Sequence, residues 1–129
     1  MRILYILLLI IIAGCDMNNQ KLVLINKSTS KIYYRLLTDT NLYDGLYFYE
    51  ADIGETVKPN FTFGRGEGVW EYQINKESPD SSLHIFVIEA ETLTENLITK
   101  EIIAGKKYVH YQFTVKQLDE MKWIFTYPR

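Results

Sequence analysis

His84 and His110 are the only histidines in this 129-residue chain, and they are the side chains best suited to bind a metal or move a proton near neutral pH. Each falls in a run with strand character. A two-histidine metal site would therefore need those runs to be neighbours, with an Asp or Glu added. Metal ligands usually cluster at short spacing, which is missing here. The expected role is an imidazole held by an ordinary hydrogen bond, with no metal or cofactor. Glu89 and Glu91 flank Ala90 and could project to one face as a carboxylate pair, the arrangement by which glycosidases separate acid from base. A solvated strand end followed by a helical first turn explains them more simply. Gly64, Gly66 and Gly68 form a GxGxG without the lysine and hydroxyl of a phosphate loop, so they read as a bend needing positive φ. No serine sits in a G-x-S-x-G turn. These patterns predict no enzyme.

Aromatic side chains are the stronger lead. Tyr33, Tyr34, Tyr43, Tyr47, Phe48, Tyr49, Trp70 and Tyr72 gather in the first half of the chain. Exposed rings of this kind give amphipathic surfaces for sugars or protein partners. Trp70, Tyr47 and Tyr49 are the candidate ligand-binding residues, and on that reading Trp70→Ala removes sugar binding and leaves the fold intact. The competing role for each ring is core filling, since about half the aromatics on strands must face inward.

The elements that would position these residues are mostly strands, because β-branched and aromatic residues suit a pleated, half-buried surface. Runs at 21–25 and 31–37 are separated by a polar connection of hairpin length and are expected to pair antiparallel. Residues 46–50 read as a short strand or ordered loop. Gly54-Glu55 turns the chain into 56–63, where Pro59 confines the strand to an edge or a bulge. A helical turn or two follows over 69–76, with Val69, Tyr72 or Gln73, and Asn75 to Lys76 on its face, and Ser78-Pro79-Asp80-Ser81 is a plain turn. Residues 83–90 are the most apolar stretch after the first 15, and they predict a central strand buried on both faces. Thr92 and Glu95 have capping-box spacing, which predicts a helix carrying Leu93, Leu97 and Ile98 as a lid on the core. Residues 107–113 alternate, with Val109, Tyr111 and Phe113 on one side and Tyr108, His110 and Gln112 on the other. Thr114 and Gln117 repeat the cap spacing, and 123–127 is a last strand before Pro128. Strands without regular βαβ alternation predict a mainly β fold, an antiparallel β-sandwich with two or three short helices.

The N-terminus says where such a domain would reside. Arg2 and an apolar run of about ten residues read as a secretory signal rather than a membrane span. Ile12-Ala13-Gly14-Cys15 resembles the bacterial lipobox, which implies removal of residues 1–14 and lipidation of Cys15. The chain then divides into that signal, a lipidated Cys15 with a tether over 15–20, and one globular domain over 21–129. Residues 16–20 span roughly 17 Å when extended, which would keep the domain near the bilayer. As the only cysteine, Cys15 can form no internal disulfide even in an oxidising compartment. Loss of Arg2 leaves 13 basic against 16 acidic residues, a net charge of about −3, with no basic face or polybasic patch. Nucleic acid is not an expected partner.

The lipobox, INKSTSKIYYRLL, VWEYQIN, SLHIFVIEAETL and YQFTVKQLDEMKWIFTYP together resemble a group of small Bacteroidota lipoproteins with no assigned biochemical role. The resemblance spans most of the chain after Cys15 and implies a lipid-anchored protein of the Gram-negative envelope, on the outer membrane. It carries no catalytic residue over. The expected function is a non-catalytic interaction module contacting an envelope protein or glycan. A surface glycan-binding module is the alternative, and a carboxylate-dependent hydrolase a weaker one.

Overall fold

The computed structural model describes residues 21–59, 70–93 and 97–128. It is mainly β, a sandwich of a three-stranded and a four-stranded sheet with a few short helices. The strands are β1 (Val23–Asn26), β2 (Ile32–Leu37), β3 (Tyr49–Ala51), β4 (Thr56–Val57), β5 (Ser82–Glu89), β6 (Val109–Thr114) and β7 (Ile124–Tyr127). Sheet order is β4-β1-β7 in one layer and β3-β2-β5-β6 in the other. All pairings are antiparallel except β1 with β7, where Val23 faces Ile124 and Asn26 faces Tyr127.

β5 is the central strand its apolar run predicts, hydrogen-bonded to β2 and β6 and buried from Ser82 to Ile88. Its alternating side chains serve two cores. Leu83, Ile85 and Val87 point between the sheets, where they meet Leu22, Leu24, Phe113, Phe125 and Tyr127. Phe86 and Ile88 point outward and are covered by Leu46, Phe48, Leu93, Ile98 and Ile102.

The first two runs do not form a hairpin. β1 and β2 lie in different sheets, and the connection between them crosses from one layer to the other. Asn26, fully buried, organises that crossing. Its Nδ2 donates to the carbonyls of Ser30, Ala51 and Asp52, and its Oδ1 accepts from the Ser28 amide and hydroxyl. The run at 46–50 supplies β3, and the turn before β4 has Gly54 at φ 75°, a conformation glycine adopts without steric cost. β4 lies at a sheet edge, as Pro59 requires.

Helix α1 (Trp70–Tyr72) widens into a π-helical turn over Gln73–Glu77. It buries Trp70, Gln73 and Ile74, a face the sequence pattern identifies only at Gln73. Of the helix expected from Thr92, residues 94–96 lie outside the described residues, and the three apolar residues assigned to it are placed otherwise. Leu97 makes a backbone bridge to Tyr47, and Leu93 and Ile98 enter the outer core from non-helical backbone. Helix α2 (Lys100–Ala104) begins instead at Thr99, whose side chain accepts from the Ile102 amide. Helix α3 (Val115–Glu120) follows the sequence closely, with Thr114 and Gln117 closing a reciprocal capping box.

Candidate functional site

Strand register brings the two histidines together. β5 and β6 pair with His84 opposite Gln112 and Phe86 opposite His110, which places His84 and His110 diagonally across the outer face of the sheet. His84 Nδ1 lies 2.8 Å from His110 Nε2. The ring centroids are 5.1 Å apart with planes 19° from parallel. That separation is the N···N distance plus one ring radius at each end, so the rings meet edge to edge along a collinear N–H···N hydrogen bond. The flat face of His110 rests on Phe86, with centroids 4.5 Å apart and planes 5° from parallel.

The acid that the two histidines require comes from the turn before β5. Asp80 Oδ2 lies 3.0 Å and Oδ1 3.2 Å from His84 Nε2. An acceptor on Nε2 fixes the neutral His84 tautomer as Nε2–H, so Nδ1 carries the lone pair and His110 donates its Nε2–H to it. Asp80 is itself held on several sides. Ser78 Oγ donates to Oδ1 at 2.7 Å, the Ser82 amide donates to Oδ1 at 3.1 Å, and Gln112 Nε2 donates to Oδ2 at 3.0 Å. The Ser78 bond, aided by His84, holds the Asp80 carboxyl below its usual range. Burial, and after it the neighbouring His84, pushes His110 below the ordinary imidazole value, against an opposing pull from Asp80. His84 is 1% exposed and Ser78 and Ser82 are also buried, whereas His110 stands at the open edge of the sheet. The Ser-Pro-Asp-Ser turn is thus the anchor of a polar network rather than a plain turn.

The aromatic candidates divide. Trp70 is 1% exposed and packs edge to face on Trp123 at 6.0 Å, so it presents no ring to a ligand; its assignment to a binding surface is corrected to the core. Tyr47 and Tyr49 are exposed, at 51% and 38%. Their rings meet at 88° and 5.5 Å, forming a corner rather than a flat platform. The Arg35 guanidinium lies 5.5 Å from the Tyr49 centroid, placing a cation against that ring. The backbone sets this corner. Tyr49 begins the edge strand β3, and Tyr47 is held two residues earlier by its bridge to Leu97.

The carboxylate pair is drawn apart in environment. Glu89 lines a cleft of about 360 Å³ at the end of β5 and β6, with Lys106, Lys107, Thr92 and Tyr127. It accepts a hydrogen bond of 3.2 Å from the Tyr127 hydroxyl, whose pKa burial and the nearby carboxylate push up to about 12. Glu91 is exposed in the following turn and does not line that cleft.

Comparison of the chain with protein-family models, with curated proteins and with solved structures finds no match.

The signal, Cys15, the Gly64 to Gly68 bend and Glu95 lie outside the described residues. Among the described residues no helix is long and apolar enough to cross a membrane, and no group of three or more His, Cys, Asp or Glu is arranged to hold a metal ion. The sequence signal for the histidine pair was present in outline. His84 and Phe86 share one strand face, Tyr108, His110 and Gln112 another, and Asp80 precedes His84 by four residues. Only the β5–β6 register was missing.

Proposed function

We propose that this chain is a lipid-anchored, non-catalytic interaction module of a bacterial envelope, which contacts its partner through the Tyr47 and Tyr49 corner. The observation that carries the reading is this exposed, backbone-fixed aromatic pair at a sheet edge with a guanidinium beside it. Tyrosine and arginine are both enriched at the hot spots of protein interfaces, tyrosine because its rigid ring buries a large area at low entropic cost. The lipobox-like Cys15 and the short tether support placement at a membrane surface, on the outer membrane of a Gram-negative envelope by the Bacteroidota resemblance.

A protein partner fits the corner better than a polysaccharide. Successive sugar rings stack on flat aromatic faces, whereas an 88° step accepts a protruding side chain against one face and one edge. Glycan binding is the second reading, favoured by the exposure of both rings and weakened by the burial of Trp70. A glycan array probed with the intact chain separates the two. Retention on defined sugars that is lost in Tyr47→Ala would replace the protein-contact reading, and an empty array with position-specific cross-linking to an envelope protein would support it. Hydrolysis by Glu89 and Glu91 has little support, since Glu89 is engaged by Tyr127 and Glu91 lies in solvent.

A further inference from the structure

We infer that His84 Nδ1 and His110 Nε2 form a binding site for a borderline divalent transition-metal ion, copper above nickel and zinc, at the edge of the four-stranded sheet. The same two nitrogens that share a proton can share a metal ion once both present lone pairs and one ring swings so that they converge on a point beside the line that now joins them. His84 Nδ1 and His110 Nε2 already face each other at 2.8 Å on the line joining their rings. His84 offers its lone pair there without losing a proton, because Asp80 holds the proton on the far nitrogen at 3.0 Å. His110 frees its own lone pair by moving its proton from Nε2 to Nδ1, a change of tautomer that alters no charge.

The second shell is built in advance. A ligating histidine normally donates its other N–H to a carboxylate, which orients the ring and raises its basicity. Asp80 stands in that position and is itself fixed by Ser78, the Ser82 amide and Gln112. His84 is buried and cannot turn, so the opening must come from His110. Metal–nitrogen bonds of about 2.0–2.1 Å put two imidazole nitrogens roughly 3.3 Å apart at a tetrahedral ion, or roughly 2.9 Å apart in neighbouring positions of a square-planar one. Because the two rings meet on one line and His84 is fixed, His110 must swing aside so that its Nε2 moves by roughly 2 Å to the neighbouring coordination position, while the N···N separation itself grows by at most about 0.5 Å. His110 is exposed at an open sheet edge, with room for its ring to swing off the face of Phe86 into solvent.

Two imidazoles select the ion. Neutral nitrogen donors suit copper, nickel and zinc, while calcium and magnesium require oxygen cages. The described residues supply two donors and no third, so the remaining coordination positions are left to water or to an external ligand.

The test titrates the intact chain, purified in detergent, with copper, nickel and zinc chlorides and with magnesium and calcium as controls. Binding is followed by calorimetry and by the nitrogen hyperfine pattern of bound copper. The expected result is one ion per chain with a Kd below about 0.1 mM, copper tightest, and two equivalent nitrogens in the spectrum. His110→Ala, on an exposed edge, should keep the fold and abolish the site. Asp80→Asn should weaken binding 10- to 100-fold. Because Asp80→Asn also disturbs the turn, His110→Gln serves as a second variant with the network left in place, and it too should lose the two-nitrogen spectrum. Failure of all three transition metals to bind, or binding unchanged in both His110 variants, overturns the inference. Neither result bears on the Tyr47 and Tyr49 contact.

Discussion

Replacing Trp70 by alanine should destabilise the domain severely, which is the opposite of what a surface ligand-binding role requires. Trp70 is fully enclosed in the inter-sheet core with Leu22, Leu24, Ile74 and Leu118, and meets Trp123 edge to face at 6.0 Å. Truncating a buried tryptophan to alanine costs about 3–5 kcal/mol, the transfer free energy of the lost ring plus the cavity left behind. The lost aromatic pair lies within that range and adds about 1 kcal/mol of it. Domains of this size are stable by about 5–15 kcal/mol, so roughly a fifth or more of the total is at stake. At roughly 4 °C per kcal/mol the thermal midpoint should fall by about 10–20 °C. Circular dichroism melts of wild type, Trp70→Ala and Trp70→Phe measure this directly, and the phenylalanine variant should recover much of the loss by refilling part of the cavity. A Trp70→Ala protein that melts within about 2 °C of wild type would refute the placement of this ring in the core.

Three further outcomes follow from the same reasoning. Tyr34 and Tyr127 both have pKa values pushed up to about 12 by burial, against about 10 in an unfolded chain. A raised folded pKa means that their stabilisation is complete below pH 10 and is lost as pH rises from 10 through 12. Each loss is on the order of 2 kcal/mol, and alkaline melts of Tyr127→Phe should show a shallower decline than wild type. Asn26→Ala should cost about 2–4 kcal/mol in chemical denaturation, because it strips partners from the Ser30, Ala51 and Asp52 carbonyls at the sheet crossing; a loss under about 0.5 kcal/mol would contradict that role. Thr114→Ala should cost about 1 kcal/mol through loss of the α3 cap, with Thr114→Ser retaining most of it.

What was legible in the sequence was local. The apolar run of β5, the alternation of β6, the Thr114 and Gln117 box, and the stop at Pro128 all act over a few residues, and the structure contains each of them. The β1–β2 hairpin failed because a connection long enough to turn back is also long enough to cross between sheets. What decides is β7, which pairs with β1 from the far end of the chain. Leu97 and Ile98 left the expected helix through a distant competitor as well. Leu97 is drawn into a backbone bridge by Tyr47, and Thr99 caps the later helix instead. Trp70 illustrates the limit for function. Its residue type suits a binding surface and a core equally, and only its contact with Trp123 distinguishes them. The histidine site failed to show for a different reason. Both rings were on recognisable strands, but a register slip of one residue would have put them on opposite faces of the sheet, and register is set by the packing of both faces of β5.

The proposed contact surface can be tested in cells by placing a photo-cross-linking residue at position 47 and, as control, at Lys116 on the exposed side of α3. Position 47 should give a discrete membrane-associated adduct that is absent from position 116 and is lost when Tyr49 is changed to alanine. The same adducts from both positions, or an adduct indifferent to Tyr49, would contradict the assignment of the aromatic corner as the interaction site.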